Sequence, residues 1–238
     1  MNKFTKILSV TSLVLAGTGS VFAQCADISA AGVWDLVKTG ANPVVATNVN
    51  PLSGACSMET PIATGKRYVQ DDMSDETSIR FTFQIDPNSM DTPTSGSQRK
   101  IKVLNMQCST AACSLVGAVD WWQAKLRKNN DGYKLGFFAL ENDGTKLSNT
   151  YTLNDGCNTI EVQLTAGNPG VYKVWVNNST EGSPDVSLTP NFANMFADRV
   201  RMGRMGVGTR INENATGEHL ILDTYESRRQ TFVGNGCP

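Results

Sequence analysis

The stretch that most restricts what this chain can become is residues 157–177, CNTIEVQLTAGNPGVYKVWVN. Ile160, Val162 and Leu164 recur at every second position, with Thr159, Glu161 and Gln163 between them. After Gly167-Asn168-Pro169-Gly170 the alternation resumes, with Tyr172, Val174 and Val176 set against Val171, Lys173 and Trp175. A side-chain period of two on both sides of a Gly/Asn/Pro turn predicts a β-hairpin. One face of that hairpin is oily, and an isolated two-stranded ribbon cannot hide it. A second sheet has to lie over it.

The same punctuation runs along the rest of the chain. Short strands are predicted over 32–38, 43–47, 55–60 and 66–70. Ser78–Asp86 is the clearest, with Ile79, Phe81, Phe83 and Ile85 inward and Arg80, Thr82 and Gln84 outward. Further strands are predicted over 100–106, 121–128, 133–140, 146–153, 198–206 and 218–227, with Asn129-Asn130-Asp131-Gly132 and Asn142-Asp143-Gly144 as turns. Residues 87–98 and the Ser/Pro-rich stretch after Asn178 read as loops. Helical spacing is confined to one turn near 191–197. About a dozen short strands at this spacing predict an all-β, two-sheet antiparallel jelly-roll sandwich, with residues 24–238 as a single domain.

Residues 1–23 stand apart. Lys3 and Lys6 precede a short apolar run at 7–15, and Val21-Phe22-Ala23 places small residues at the −3 and −1 positions before Gln24. This pattern predicts a secretory signal peptide, its core too short to span a bilayer, and hence a secreted or periplasmic protein. All six cysteines follow it. An even number in an exported chain predicts disulfides. Cys108 and Cys113 enclose only STAA and are expected to pair. The other four permit three pairings, among which this reading favours Cys25–Cys237, tying the two ends, and Cys56–Cys157.

Lys and Arg number 21 against 22 Asp and Glu, a net charge of −1, which points to neither nucleic acid nor insertion into a membrane. A single histidine, His219, and no C-x-x-C spacing argue against zinc. No cofactor is expected. Calcium is the one cation with candidate oxygen ligands, in the acidic turns Asp71-Asp72-Met73-Ser74-Asp75 and Asn129-Asn130-Asp131, neither of which has the spacing of a D-x-[DN]-x-[DN]-G loop.

Several runs carry a family resemblance: YVQDD at 68–72, FQIDPNSM at 83–90, WWQAKLRKNNDGYKLGF at 121–137, VYKVWVNN at 171–178, DRVRMGRM at 198–205 and HLILDTYESRR at 219–229. In content and order they resemble bacterial secreted laminin-G-like, concanavalin A-like domains, over about residues 66–234. The resemblance implies a jelly roll of two curved sheets. It also implies a site for a glycan or protein on one sheet or at one rim, sometimes with calcium. It carries no ligand set onto particular residues.

For function the residues themselves suggest a binding surface. Trp121 and Trp175 fall on the faces opposite the core residues of their strands, and a flat indole matches the C–H face of a sugar ring. Gln123, Lys125, Arg127 and Lys173 share those faces and can donate hydrogen bonds to hydroxyls or carboxylates. The competing reading buries both indoles under loops and leaves the cations as a solvated coat. Arg199, Arg201 and Arg204, with Arg228 and Arg229, either line a basic cleft or pair locally, for example with Asp198. Catalytic signals are thin. E-x-D-x-E, G-x-S-x-G and the R-x-E-x-R and Y-x-K-x-G runs of alginate-lyase sandwiches are absent, and alternation puts Asp223 and Glu226 on opposite faces. The expectation is a non-catalytic module for an extracellular glycan or surface protein. The alternatives are a polysaccharide-active enzyme on the same fold and a structural interaction protein of the cell surface.

Overall fold

The computed structural model describes residues 34–38, 45–47, 52, 56–61, 66–87, 100–108, 120–205, 219–228, 231–234 and 236–237. The expected signal peptide, Cys25 and Cys113 lie outside them. The strands are β1 (Leu36–Lys38), β2 (Val45–Thr47), β3 (Ser57–Pro61), β4 (Arg67–Glu76), β5 (Ser78–Asp86), β6 (Lys100–Gln107) and β7 (Asp120–Asn129). They continue as β8 (Gly132–Leu140), β9 (Lys146–Thr152), β10 (Asn158–Thr165), β11 (Val171–Val176), β12 (Val186–Leu188), β13 (Ala197–Arg204) and β14 (His219–Arg228). Two antiparallel seven-stranded sheets result, one in the order β1-β4-β13-β6-β7-β8-β9 and the other β12-β11-β10-β5-β14-β3-β2. The all-β sandwich expected from alternation is what the chain forms.

The predicted hairpin is β10–β11, in register from Ile160↔Val176 to Thr165↔Val171. Its turn relies on Gly170, where a Cβ would stand 2.7 Å from the Thr165 carbonyl oxygen. On its other side β10 pairs with β5. Ile160, Val162 and Leu164 therefore share the core with Phe81 and Phe83, all buried. The opposite sheet contributes Val69, Met106, Trp122, Leu126, Phe137 and Met202. The sheets lock where Phe81 meets Trp122 edge to face at 5.5 Å. Burying a side chain of this size contributes about 1.5–3 kcal/mol, so the layered contact is the main source of stability.

Two elements differ from the sequence reading. β4 extends to Glu76, so the acidic stretch 71–75, read as a turn, is mostly strand. β12 lies within the stretch read as a Ser/Pro loop; its three residues are held by backbone pairing with β11, Tyr172↔Leu188 to Val174↔Val186.

The disulfide pattern also needs correction. Cys157 bonds Cys237, with Cα atoms 5.8 Å apart. This bond overturns both Cys25–Cys237 and Cys56–Cys157. The physical reason is that the C-terminal segment returns across β10, bringing Cys237 to the start of that strand. Among the described residues no cysteine is free. The expected partner of Cys108, Cys113, lies outside the described residues. A disulfide of this kind belongs to an oxidising, extracellular-type compartment. Among the described residues no helix is long and apolar enough to cross a membrane.

Candidate functional site

The two outer faces of the sandwich differ. On the β5–β10–β11 side, Arg80 and Glu161 stand on neighbouring strands with Nε and Oε1 2.6 Å apart, their side chains 3% and 2% exposed. The C-terminal segment closes over them. The backbone N–H groups of Val233 and Gly234 donate to Glu161, that of Gly236 donates to Thr159 Oγ1, and the disulfide fixes the end. The Arg80 guanidinium lies against both the Trp175 and Phe232 rings, 4.7 and 5.0 Å from their centroids. This outer face is closed around Arg80, Glu161 and Thr159, all buried, while Gln163 and Lys173 stay half-buried.

Trp175 is therefore on the outward side of its strand, as expected, yet 1% exposed, with its indole N–H donated to the Glu181 carbonyl. Trp121 is likewise 3% exposed: its N–H goes to the Phe196 carbonyl, and its ring packs edge-on against Phe192. The two belong to different sheets. The expectation of a shared indole platform is thus corrected. Alternation assigned the faces properly, but chain segments from elsewhere cover both rings. Lys173 sits on β11, in the sheet opposite that of Gln123, Lys125 and Arg127, and joins no site with them.

The other outer face, across β4, β13, β6, β7, β8 and β9, is open toward its β7–β8–β9 end, where Gln123, Lys125 and Phe138 are half-buried and Lys146, Ser148 and Thr150 exposed, whereas Gln70 and Asn105 nearer its centre are buried. Strand register lines up Gln70, Arg201, Asn105, Gln123, Phe138 and Ser148 side by side across six strands. Arg201 donates from Nε to Gln70 Oε1 at 2.7 Å and stacks its guanidinium on Tyr68. A second row runs Lys102, Lys125, Gly136, Thr150. Next to it run Lys100, Arg127 and Lys134.

A depression of about 190 Å³ opens here, lined by Asp120, Gln123, Lys125, Phe138 and Lys146 among others. Gly136 shapes it: a Cβ at that position would come within 3.1 Å of the Phe138 ring, so glycine lets the ring lie along its own strand. Around that ring stand the ammonium groups of Lys146, Lys125 and Lys100, at 4.6, 4.7 and 5.7 Å from its centroid. Each such cation–π contact contributes about 0.5–1 kcal/mol at an exposed site.

Asp120 is the carboxylate of the depression. It accepts hydrogen bonds from Lys102, from Asn105 Nδ2 at 2.6 Å and from Gln107 Nε2. Burial works to raise its pKa, but the bonds from Lys102 and Gln107, the Lys102 charge and the Asn105 bond together hold it below the usual carboxylate range. Lys125 is shifted downward from 10.5, first by burial, then by repulsion from Lys102, Lys146 and Lys100, with Asp120 opposing. The site thus holds a fixed carboxylate amid crowded ammonium groups and amides.

The other candidates are placed as follows. Arg199 pairs with Asp72 at 2.7 Å rather than with Asp198, because β13 lies beside β4. Arg204 is buried, and the side chains of Arg228 and His219, like the whole of Arg229, lie outside the described residues. Asp223 and Glu226 fall on one face after all. A bulge between them lets them pair with Gln84 and Thr82, and both are buried. Among the described residues no group of three His, Cys, Asp or Glu is placed to hold a metal ion. Sequence reasoning picked out Gln123, Lys125 and Arg127, but missed Phe138, Lys100, Lys102 and Lys146. The signal for these was K-x-K at 100–102 and G-F-F at 136–138, legible only once β6, β7, β8 and β9 were known to be neighbours.

No family model matches this chain, and no curated protein matches it. Solved structures share its fold. An endo-β-1,4-glucuronan lyase from the fungus Trichoderma reesei matches with a TM-score of 0.59 at 13% identity, over 88% of this chain and 95% of that one. Alginate lyase Aly36B matches with a TM-score of 0.51 at 9% identity, over 75% of this chain and 84% of that one. A botulinum neurotoxin serotype D ligand binding domain in complex with N-acetylneuraminic acid matches with a TM-score of 0.52 at 10% identity, over 83% of this chain. The present chain spans only 43% of that domain's length. At these identities the likeness is one of fold.

Proposed function

We propose that the protein is a binding module that holds a glycan on the open β7–β8–β9 end of the outer face of the β1-β4-β13-β6-β7-β8-β9 sheet. The observation that carries this reading is the depression in which half-buried Gln123, Lys125 and Phe138 stand beside exposed Lys146. Amide and ammonium donors beside an aromatic side chain suit sugar rings: hydroxyls meet the donors and an apolar C–H face meets the phenyl. That the opposite face is closed by the C-terminal segment supports the assignment to this one. Solved neighbours of this fold that act on or bind carbohydrate support it at the level of ligand class. The test is a glycan array with wild-type protein and Phe138→Ala, both shown to be folded. Binding that falls at least tenfold in the variant supports the reading; a blank array for the wild type overturns it.

Cleavage of the polysaccharide on the same face is the second reading. One observation favours it: Lys125 is a half-buried amine whose pKa is lowered, so it releases a proton more readily than a free lysine and can serve as a base. New chain ends appearing on incubation with the bound glycan, and lost in Lys125→Met, would establish it.

A further inference from the structure

The lysines of this face are more crowded than sugar hydroxyls require. We propose that the glycan held here is acidic, a chain carrying repeated carboxylate or sulfate groups gripped by Lys100, Lys102, Lys125 and Lys146 around Phe138. This inference rests on the glycan reading of the same face and narrows it to one ligand class.

The argument is electrostatic. Lys100, Lys125 and Lys146 each lie within 5.7 Å of one ring centroid. No two of them can therefore lie more than about 10 Å apart, comparable with the Debye length of roughly 8 Å at physiological ionic strength, so their repulsion is only partly screened. A solvated coat of lysines spreads its charges apart; here they converge on a depression and one of them is half-buried. The π-face of Phe138 and the single carboxylate Asp120 offset part of the repulsion. Asp120 is itself engaged by Lys102, Asn105 and Gln107. The charges that act on Lys125 are Lys102 and Lys100 from β6, Lys146 from β9 and Asp120 from its own strand, while Arg127 and Lys134 stand one pair further along the sheet. The acting set has three cations to one anion. Asp131 sits outside it, 3.1 Å from Lys134 at the hairpin end. An arriving carboxylate or sulfate relieves the crowding, and charge-assisted bonds are the strong kind. Binding should accordingly draw the Lys125 pKa back up, so affinity falls as pH rises toward the ordinary lysine range.

The test is titration calorimetry of the full protein with polygalacturonate, its methyl ester, dextran sulfate, dextran and a single-stranded DNA oligonucleotide. Polygalacturonate or dextran sulfate should bind at least tenfold more tightly than its uncharged counterpart and weaken with salt. The pair that responds tells carboxylate from sulfate. Lys125→Gln and Lys146→Gln, checked for unchanged near-ultraviolet circular dichroism, should each weaken the acidic ligand by about tenfold, the loss of one charge-assisted bond. Equal binding of the charged and uncharged polymers would overturn this inference and leave the glycan reading standing. Binding of the DNA as tight as that of the acidic glycan would also overturn it, as plain polyanion attraction. No binding of any polymer would end both.

Discussion

Arg80 and Glu161 are joined at 2.6 Å across neighbouring strands, and what buries their pair is the chain's own C-terminal segment. Such a pair is costly to bury and costlier to break. Glu161→Gln removes the buried carboxylate but leaves Arg80 its second partner, Glu181, at 2.7 Å, so the loss should be about 1–3 kcal/mol. Glu161→Gln should therefore lower the urea midpoint. If Glu161→Gln is no less stable than wild type, the pair is not the lock it looks to be.

The disulfide holds the same segment. Its sequence separation is 80, so Cys157→Ser with Cys237→Ser should cost about 4 kcal/mol in the chain-entropy view. It should also raise iodide quenching of Trp175, whose ring Phe232 covers at 5.5 Å. Ligand affinity, measured below the new melting temperature, should not change, since the proposed site lies on the other face. A parallel loss of affinity would contradict the separation of the two faces.

Of the four tryptophans Trp121, Trp122 and Trp175 are buried and Trp34 is half-buried. Native fluorescence should accordingly be blue-shifted and poorly quenched by iodide. Trp121→Ala should destabilise by about 3–5 kcal/mol as a core truncation. Strong quenching of the native protein, relieved by a glycan, would restore the indoles as a binding surface.

Asp120 and Lys125 give opposite signs. The Asp120 carboxyl is held low, so its contribution to stability is in full above its ordinary value near 3.8 and disappears as pH falls through the lowered one. Asp120→Asn should flatten the acid limb of the stability–pH curve. Lys125 is also lowered, which means the folded state disfavours its charge at neutral pH. Stability should rise as pH climbs from the lowered value toward 10.5, where the unfolded chain still holds the proton. Lys125→Met should then be as stable as wild type or slightly more so, by under about 1 kcal/mol, while losing the acidic ligand. Calorimetric melts across pH would read both.

How far the sequence could carry this is clear from particular residues. Ile160, Val162, Leu164, Tyr172 and Val174 declared their faces because a strand's alternation is local. Trp175 alternated just as plainly, but alternation says which way a ring points and nothing of what returns to cover it. That depends on Phe232 and Cys237, tens of residues away. The same gap explains the disulfide and Asp223 with Glu226, whose bulge reverses the expected parity. It also explains the lysines around Phe138, which come from three strands. The fold was a local inference; the site was a question of neighbours.

The closing of one face has a practical consequence for anyone handling the molecule. A linker appended beyond Cys237 leaves from the sutured side. Beads or sensor chips coupled through such a linker would present the lysine-rich side to the solution, unobstructed.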